Sequence, residues 1–146
     1  MRFAKISAVF LACTITVPAL SHDHATGIVK ERMDLMEAIG RRMKAINTRI
    51  KDRKQLSAIK NDAKAIAESA PHILHLFPPG STQHPTEAKA TIWRNFADFE
   101  RKAKSLEDES AKLANTTDTD FTALAAQVRA VSQTCSGCHE AYRVKR

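Results

Sequence analysis

Four stretches of this chain repeat apolar residues at spacings of three and four, and that pattern leaves few folds open. The first stripe runs Val29, Met33, Met36, Ile39, Met43, Ile46, Ile50. The second runs Leu56, Ile59, Ala63, Ile66, Ala70 and on to Ile73 and Leu74. The third is Ile92, Phe96, Phe99, Ala103, Leu106, Ser110, Leu113, and the fourth Phe121, Leu124, Val128, Val131, Cys135, Cys138. This spacing is the seam of helices packed at shallow angles around a shared core. Four seams in one short chain predict an all-α fold, an antiparallel four-helix bundle. Aromatic residues make up only 5% of the chain, which argues against a β-sandwich.

The spacing places helices near 27–51, 55–70, 87–114 and 118–143. Thr117 and Asp118 are read as the cap of the fourth. Asp52-Arg53 marks a short first turn, and Pro71 should end or kink the second helix. The one long connection, Phe77 to Pro85, holds three prolines that cannot continue a helix. A helix of about 25 residues is roughly 37 Å long, so four such rods suit a single domain over 22–146.

Residues 1–21 read as a secretory signal. Arg2 and Lys5 precede a largely apolar run from Ile6 to Val17, too short to span a bilayer. Small residues follow, with cleavage expected after Ser21 or after Ala19. The mature protein is then expected in the periplasm. The whole chain carries a formal charge of +7, and losing Arg2 and Lys5 leaves +5. That balance steers acidic partners, but its basic residues are not interleaved with aromatics, so no nucleic-acid platform is expected.

Cys13 departs with the signal, leaving Cys135 and Cys138. They stand in Cys135-Ser136-Gly137-Cys138-His139, the C-x-x-C-H spacing of c-type haem attachment. Thiols at i,i+3 lie on one helix face and can add to the two vinyl groups of one porphyrin edge. The adjacent His139 then offers an imidazole nitrogen to iron. Other readings are a redox disulfide, a zinc site completed by His139 with His72 and His75, or coincidence. No βαβ pattern and no second C-x-x-C support the first two. A cut after Ser21 would expose His22-Asp23-His24, a copper- or nickel-chelating start.

The ending Cys-x-x-Cys-His followed by Glu140-Ala141-Tyr142-Arg143 resembles the cytochrome c′ / cytochrome c-556 family. Arg32 to Gly40, Leu76-Phe77-Pro78 and Ile92 to Phe99 are similar to further family segments. The resemblance implies one covalent haem c on Cys135 and Cys138, with His139 as proximal ligand. It puts Met36 on the distal side, with Met33 and Met43 as fallback ligands on the same stripe. Gly40 would admit the porphyrin closely. Arg32 would approach a propionate. Arg143, one turn beyond His139, either lies by the iron's proximal side, pairs with a propionate, or is solvated. The implied function is a non-enzymatic electron carrier with His139/Met36 iron and periplasmic or membrane-face redox partners. The alternative is a five-coordinate protein of the c′ branch that binds nitric oxide or carbon monoxide, as a monomer or a homodimer.

Overall fold

The computed structural model describes residues 25–145. The expected signal, its cleavage sites, Cys13 and the His22-Asp23-His24 start lie outside the described residues. Helix α1 spans Gly27–Asp52, α2 Ile59–Ser69, α3 His72–His75, α4 Thr91–Arg94, α5 Phe96–Asn115 and α6 Phe121–Tyr142. The four long rods are α1, α2, α5 and α6. In the ring they form, α2 packs most extensively on α5, then α5 on α6 and α1 on α2, while α1 and α6 touch most sparsely.

Local chemistry sets the breaks. Arg53 ends α1 in the left-handed region, φ 51°, and Gln55 repeats that conformation at φ 52° before a 3-10 turn at Leu56–Ala58. The guanidinium of Arg53 lies 4.1 Å from the ring centre of Phe121, tying this turn to the start of α6. Pro71 lacks the N–H that would continue α2, and the chain resumes as the short α3.

Three boundaries differ from the periodicity. The second rod opens as the 3-10 turn at Leu56–Ala58 and becomes an α-helix at Ile59 rather than 55. The fourth helix begins at Phe121, and its cap is Asp120, whose Oδ1 accepts from the Ala123 N–H at 3.0 Å. Thr117 and Thr119 instead bond each other at 2.7 Å. The third helix begins at residue 91 rather than 87 and breaks at Asn95, φ −135°. Residues 87–89 are extended because they pair with the chain end: Ala88 bridges to Arg143, and the Lys89 N–H donates to Tyr142 O at 2.9 Å.

The core follows the seams. Ile46, Ile59, Ile66, Leu113, Leu124 and Val131 are fully buried. Burying each such side chain contributes about 1.5–3 kcal/mol. Phe99 collects three rings, with centroid distances of 4.9 Å to Phe77, 5.4 Å to Tyr142 and 5.9 Å to Phe96. Of the stripe methionines only Met43 is buried in this core; Met33 and Met36 are half-buried. Neither Phe96 nor Val144, the exposed large apolar residues of the described chain, lies on α1 or α2.

Ser110 sits in the α5 seam with 0% exposure, and its hydroxyl has no partner. A buried unpaired hydroxyl costs about 1–3 kcal/mol. Ser110→Ala should therefore raise stability by about 1 kcal/mol in denaturant unfolding of the holoprotein. A loss of stability would show that the hydroxyl is satisfied in solution.

Candidate haem-attachment site

The last turns of α6 carry the attachment motif on the fourth seam. Cys135 and Cys138 are free thiols, both half-buried and packed against the core. Burial pushes both thiols up, Cys138 to about 11. They therefore stay protonated at neutral pH. A redox C-x-x-C needs the opposite, a depressed thiol at a helix start. A zinc site fares no better: His72 and His75 are exposed on α3, and no group of three or more His, Cys, Asp or Glu suited to a metal exists among the described residues.

His139 exposes part of its ring. Burial of the rest lowers its pKa, the Arg143 charge lowers it further, and Glu87 opposes both. A neutral imidazole is the form that binds iron. The donor set fits a haem: two thiols one turn apart on a helix face, and a neutral imidazole next to the second.

What holds this turn still comes from far away in sequence. Tyr142 is 5% exposed and donates its hydroxyl to Asp98 Oδ2 at 2.6 Å, with the Asn95 carbonyl at 3.3 Å. That places its oxygen at the break between α4 and α5. Lys89 Nζ donates to the carbonyls of Glu140 and Ala141 at 3.0 and 3.3 Å, a cation at the C-terminal end of α6. Arg143 Nε donates to Glu87 Oε2 at 2.7 Å.

On α1, the sparsely touching neighbour of α6 in the ring, Met36 lies half-buried against the same core as the two cysteines. Arg32, one turn earlier, is 4% exposed. Its Nη2 donates to Ser81 O at 3.0 Å, its Nη1 to Thr86 Oγ1 at 3.3 Å, and its guanidinium stands 4.2 Å from the Phe77 ring centre. Its Nε is buried without a partner. The Trp93 indole N–H reaches the carbonyls of Phe77 and Pro78, both at 3.0 Å, and anchors the proline loop. A side chain at Gly40 or Gly137 would meet no atom within 4 Å, so protein packing requires neither glycine.

Sequence patterning marks the attachment motif, and Arg32 is singled out only through the family resemblance; neither points to Asp98, Glu87 or Lys89. Tyr142 was noticed only as the aromatic of the ending. No local spacing marks these residues, because each acts by a contact across at least forty positions.

Tyr142 is the only tyrosine of the chain. Burial first, then the bond and charge of Asp98, raise its pKa to about 12. A phenol harder to ionise when folded stabilises the fold below its unfolded pKa near 10 and ceases to as pH rises toward 12. NMR of ring-labelled tyrosine should show no phenolate at pH 10.5. Tyr142→Phe should cost about 1–2 kcal/mol and remove the stability lost between those pH values. Titration near pH 10 would deny the Asp98 contact.

A family model described as Cytochrome C′ matches residues 27–143. The chain is 32% identical to cytochrome c′ of Rhodospirillum rubrum, over 98% of this chain and 99% of that one. It is 33% identical to cytochrome c-556 of Agrobacterium fabrum, over 100% and 99%. Two solved cytochrome c prime variants from Alcaligenes xylosoxidans, one a nitric oxide complex and one with carbon monoxide bound, are each 25% identical. Each covers 81% of this chain and 94% of its own, with a TM-score of 0.71. A four-helix bundle, a C-x-x-C-H turn backed by a buried core, and these likenesses agree: the chain belongs to the cytochrome c′ family, whose members carry one covalently attached haem c.

Proposed function

We propose that this protein is a periplasmic, non-catalytic haem protein of the c′ kind, with five-coordinate iron that takes up nitric oxide or carbon monoxide. Cys135 and Cys138 carry the haem in thioether linkage, and His139 is the proximal ligand. Met36 is a wall of the distal pocket. The observation that carries this reading is the likeness, over four-fifths of the chain, to the nitric oxide and carbon monoxide complexes. The haem supplies an iron with imidazole on one side and room for a diatomic molecule on the other.

Several residues fit this role. Arg32 offers its unpartnered Nε to a propionate while its other nitrogens hold the proline loop. Arg143 stays beside His139 through its pairing with Glu87. A peroxidase-like role would want an acid–base group on the distal helix. The two α1 carboxylates that flank Met36 instead form exposed i,i+4 pairs, Asp34 with Lys30 and Glu37 with Arg41. The expected export signal over 1–21 belongs to this proposal, as does a mature domain over 22–146. No described helix is long and apolar enough to cross a membrane.

A second reading has its own support. The c-556 relative matches the whole chain as well as the c′ relative does, and Met36 is a thioether on the half-buried face of α1. Bound to iron, it would give a His139/Met36 electron carrier passing electrons to periplasmic or membrane-face redox proteins.

Spectroscopy of the purified ferric protein separates the two. Five-coordinate iron predicts high-spin EPR signals and rapid carbon monoxide uptake after reduction, with Met36→Leu leaving the spin state unchanged. Low-spin signals with a far-red methionine–iron band, abolished in Met36→Leu, would overturn this in favour of the carrier. Mass spectrometry should show the haem mass on the wild type and its loss when Cys135 and Cys138 are both replaced by Ala.

A further inference from the structure

Two consecutive residues of the extended segment after the proline loop touch both of the helices assigned to the iron. Thr86 Oγ1 accepts from Arg32 Nη1 at 3.3 Å, one turn before Met36 on α1. It also accepts from the Ala88 N–H at 3.1 Å, which fixes the local turn. Glu87 Oε2 accepts from Arg143 Nε at 2.7 Å, one turn after His139, and Glu87 O accepts from the Val144 N–H at 2.9 Å. The Lys89 N–H closes the same bridge on Tyr142 O at 2.9 Å. Direct packing between α1 and α6 is the sparsest of the four neighbouring pairs in the bundle.

We propose that Thr86 and Glu87 are positioning residues: together they clasp the Met36-bearing turn of α1 to the His139-bearing turn of α6 and so set whether the sixth position of the iron is open. This rests on the proposed placement of His139 and Met36 on opposite sides of the haem. Helices that pack well on each other hold their own spacing. Where α1 and α6 pack sparsely, an outside tie has leverage. A thioether either reaches bonding distance to iron or remains a wall, so a small change in helix spacing becomes a change of spin state.

The two halves of the clasp differ in kind. On the α1 side the donor, Arg32, is a cation only 4% exposed, so its 3.3 Å bond to Thr86 is shielded from solvent and salt. On the α6 side the ion pair is exposed, with side chains 45% and 31% accessible, and the backbone bridge lies beneath it. A pair so exposed changes a two-state population by about five-fold at most. The Thr86 half should therefore matter more.

The test compares holoprotein made in cells equipped for cytochrome maturation, as wild type, Thr86→Val, Glu87→Gln and the double variant. Gln127→Ala serves as control. It breaks another interhelical tie, from Gln127 Nε2 to Glu109 Oε2 at 2.7 Å between α6 and α5, away from the clasp. The readouts are the high-spin to low-spin ratio in ferric EPR and the carbon monoxide association rate of the ferrous form. The expected result is a shifted ratio and an altered rate in both single variants, larger for Thr86→Val, while Gln127→Ala lowers the melting temperature and leaves both readouts alone. Thr86→Val changes no charge, so its shift cannot come from altered electrostatics at His139. If the clasp variants lose stability as the control does, with spin ratio and rate at wild-type values, the proposal is overturned. A low-spin wild type would defeat the five-coordinate reading and leave this one standing, provided that loosening the clasp then creates a high-spin fraction that binds carbon monoxide. If the double variant fails to load haem, the two single variants decide.

Discussion

Helix ends fray, and this chain sets its haem-attachment motif in the last two turns of its last helix. Everything around residues 135–143 counters that tendency. The final carbonyls of α6 have no intrahelical partners. Lys89 covers those of Glu140 and Ala141 with its ammonium and that of Tyr142 with its N–H. Tyr142 drives a ring into the core beside Phe99 and ties its hydroxyl to Asp98. Arg143 leaves the helix in extended conformation and pairs with residues 87 and 88. A terminal turn that would open readily on its own becomes part of the core's cooperative unit.

That requirement explains which parts of the molecule were legible in the sequence. The seams were legible because burial along a helix is periodic, and every fully buried aliphatic lies on one of the four stripes. The attachment motif was legible because its chemistry is local to five residues. The start of the third rod was not. Glu87 to Lys89 have ordinary helix propensity, and only pairing with residues more than fifty positions away turns them into an extended strap. The cap of α6 lies two to three residues beyond the Thr117-Asp118 pair for a milder reason. Thr117, Asp118 and Asp120 are all competent caps, and the Thr117–Thr119 bond resolves the competition by occupying the first of them.

The distal side is a case where sequence chemistry is rich but ambiguous in kind. Four methionines occur in the chain, three of them on the α1 stripe. Burial separates them. Met43 fills the core, which is the ordinary use of a flexible thioether. Met36 borders the core on the half-buried edge, next to the helix that carries the cysteines in the ring of rods. The same side chain suits a pocket wall or an iron ligand, so its identity carries less information than the spacing of the two helices. Relatives named c′ and c-556 match this chain to a similar degree, at 32% and 33% identity.

Arg32 shows how the two sides are joined. A cation taken out of water normally demands a carboxylate. Arg32 is held by a carbonyl, a hydroxyl and an aromatic face, and no ion pair to it occurs among the described residues. Its burial alone lowers its pKa, with no acid to raise it back. Such a site keeps its positive potential and leaves Nε unspent. In the proposed site a propionate would supply the missing negative charge. Attachment of the group at α6 would then also settle the charge balance of α1 and, through Thr86, stiffen the strap that closes α6. In that proposed site, cofactor binding and the ordering of the chain end would become one event, the coupling expected where a prosthetic group contributes part of the core.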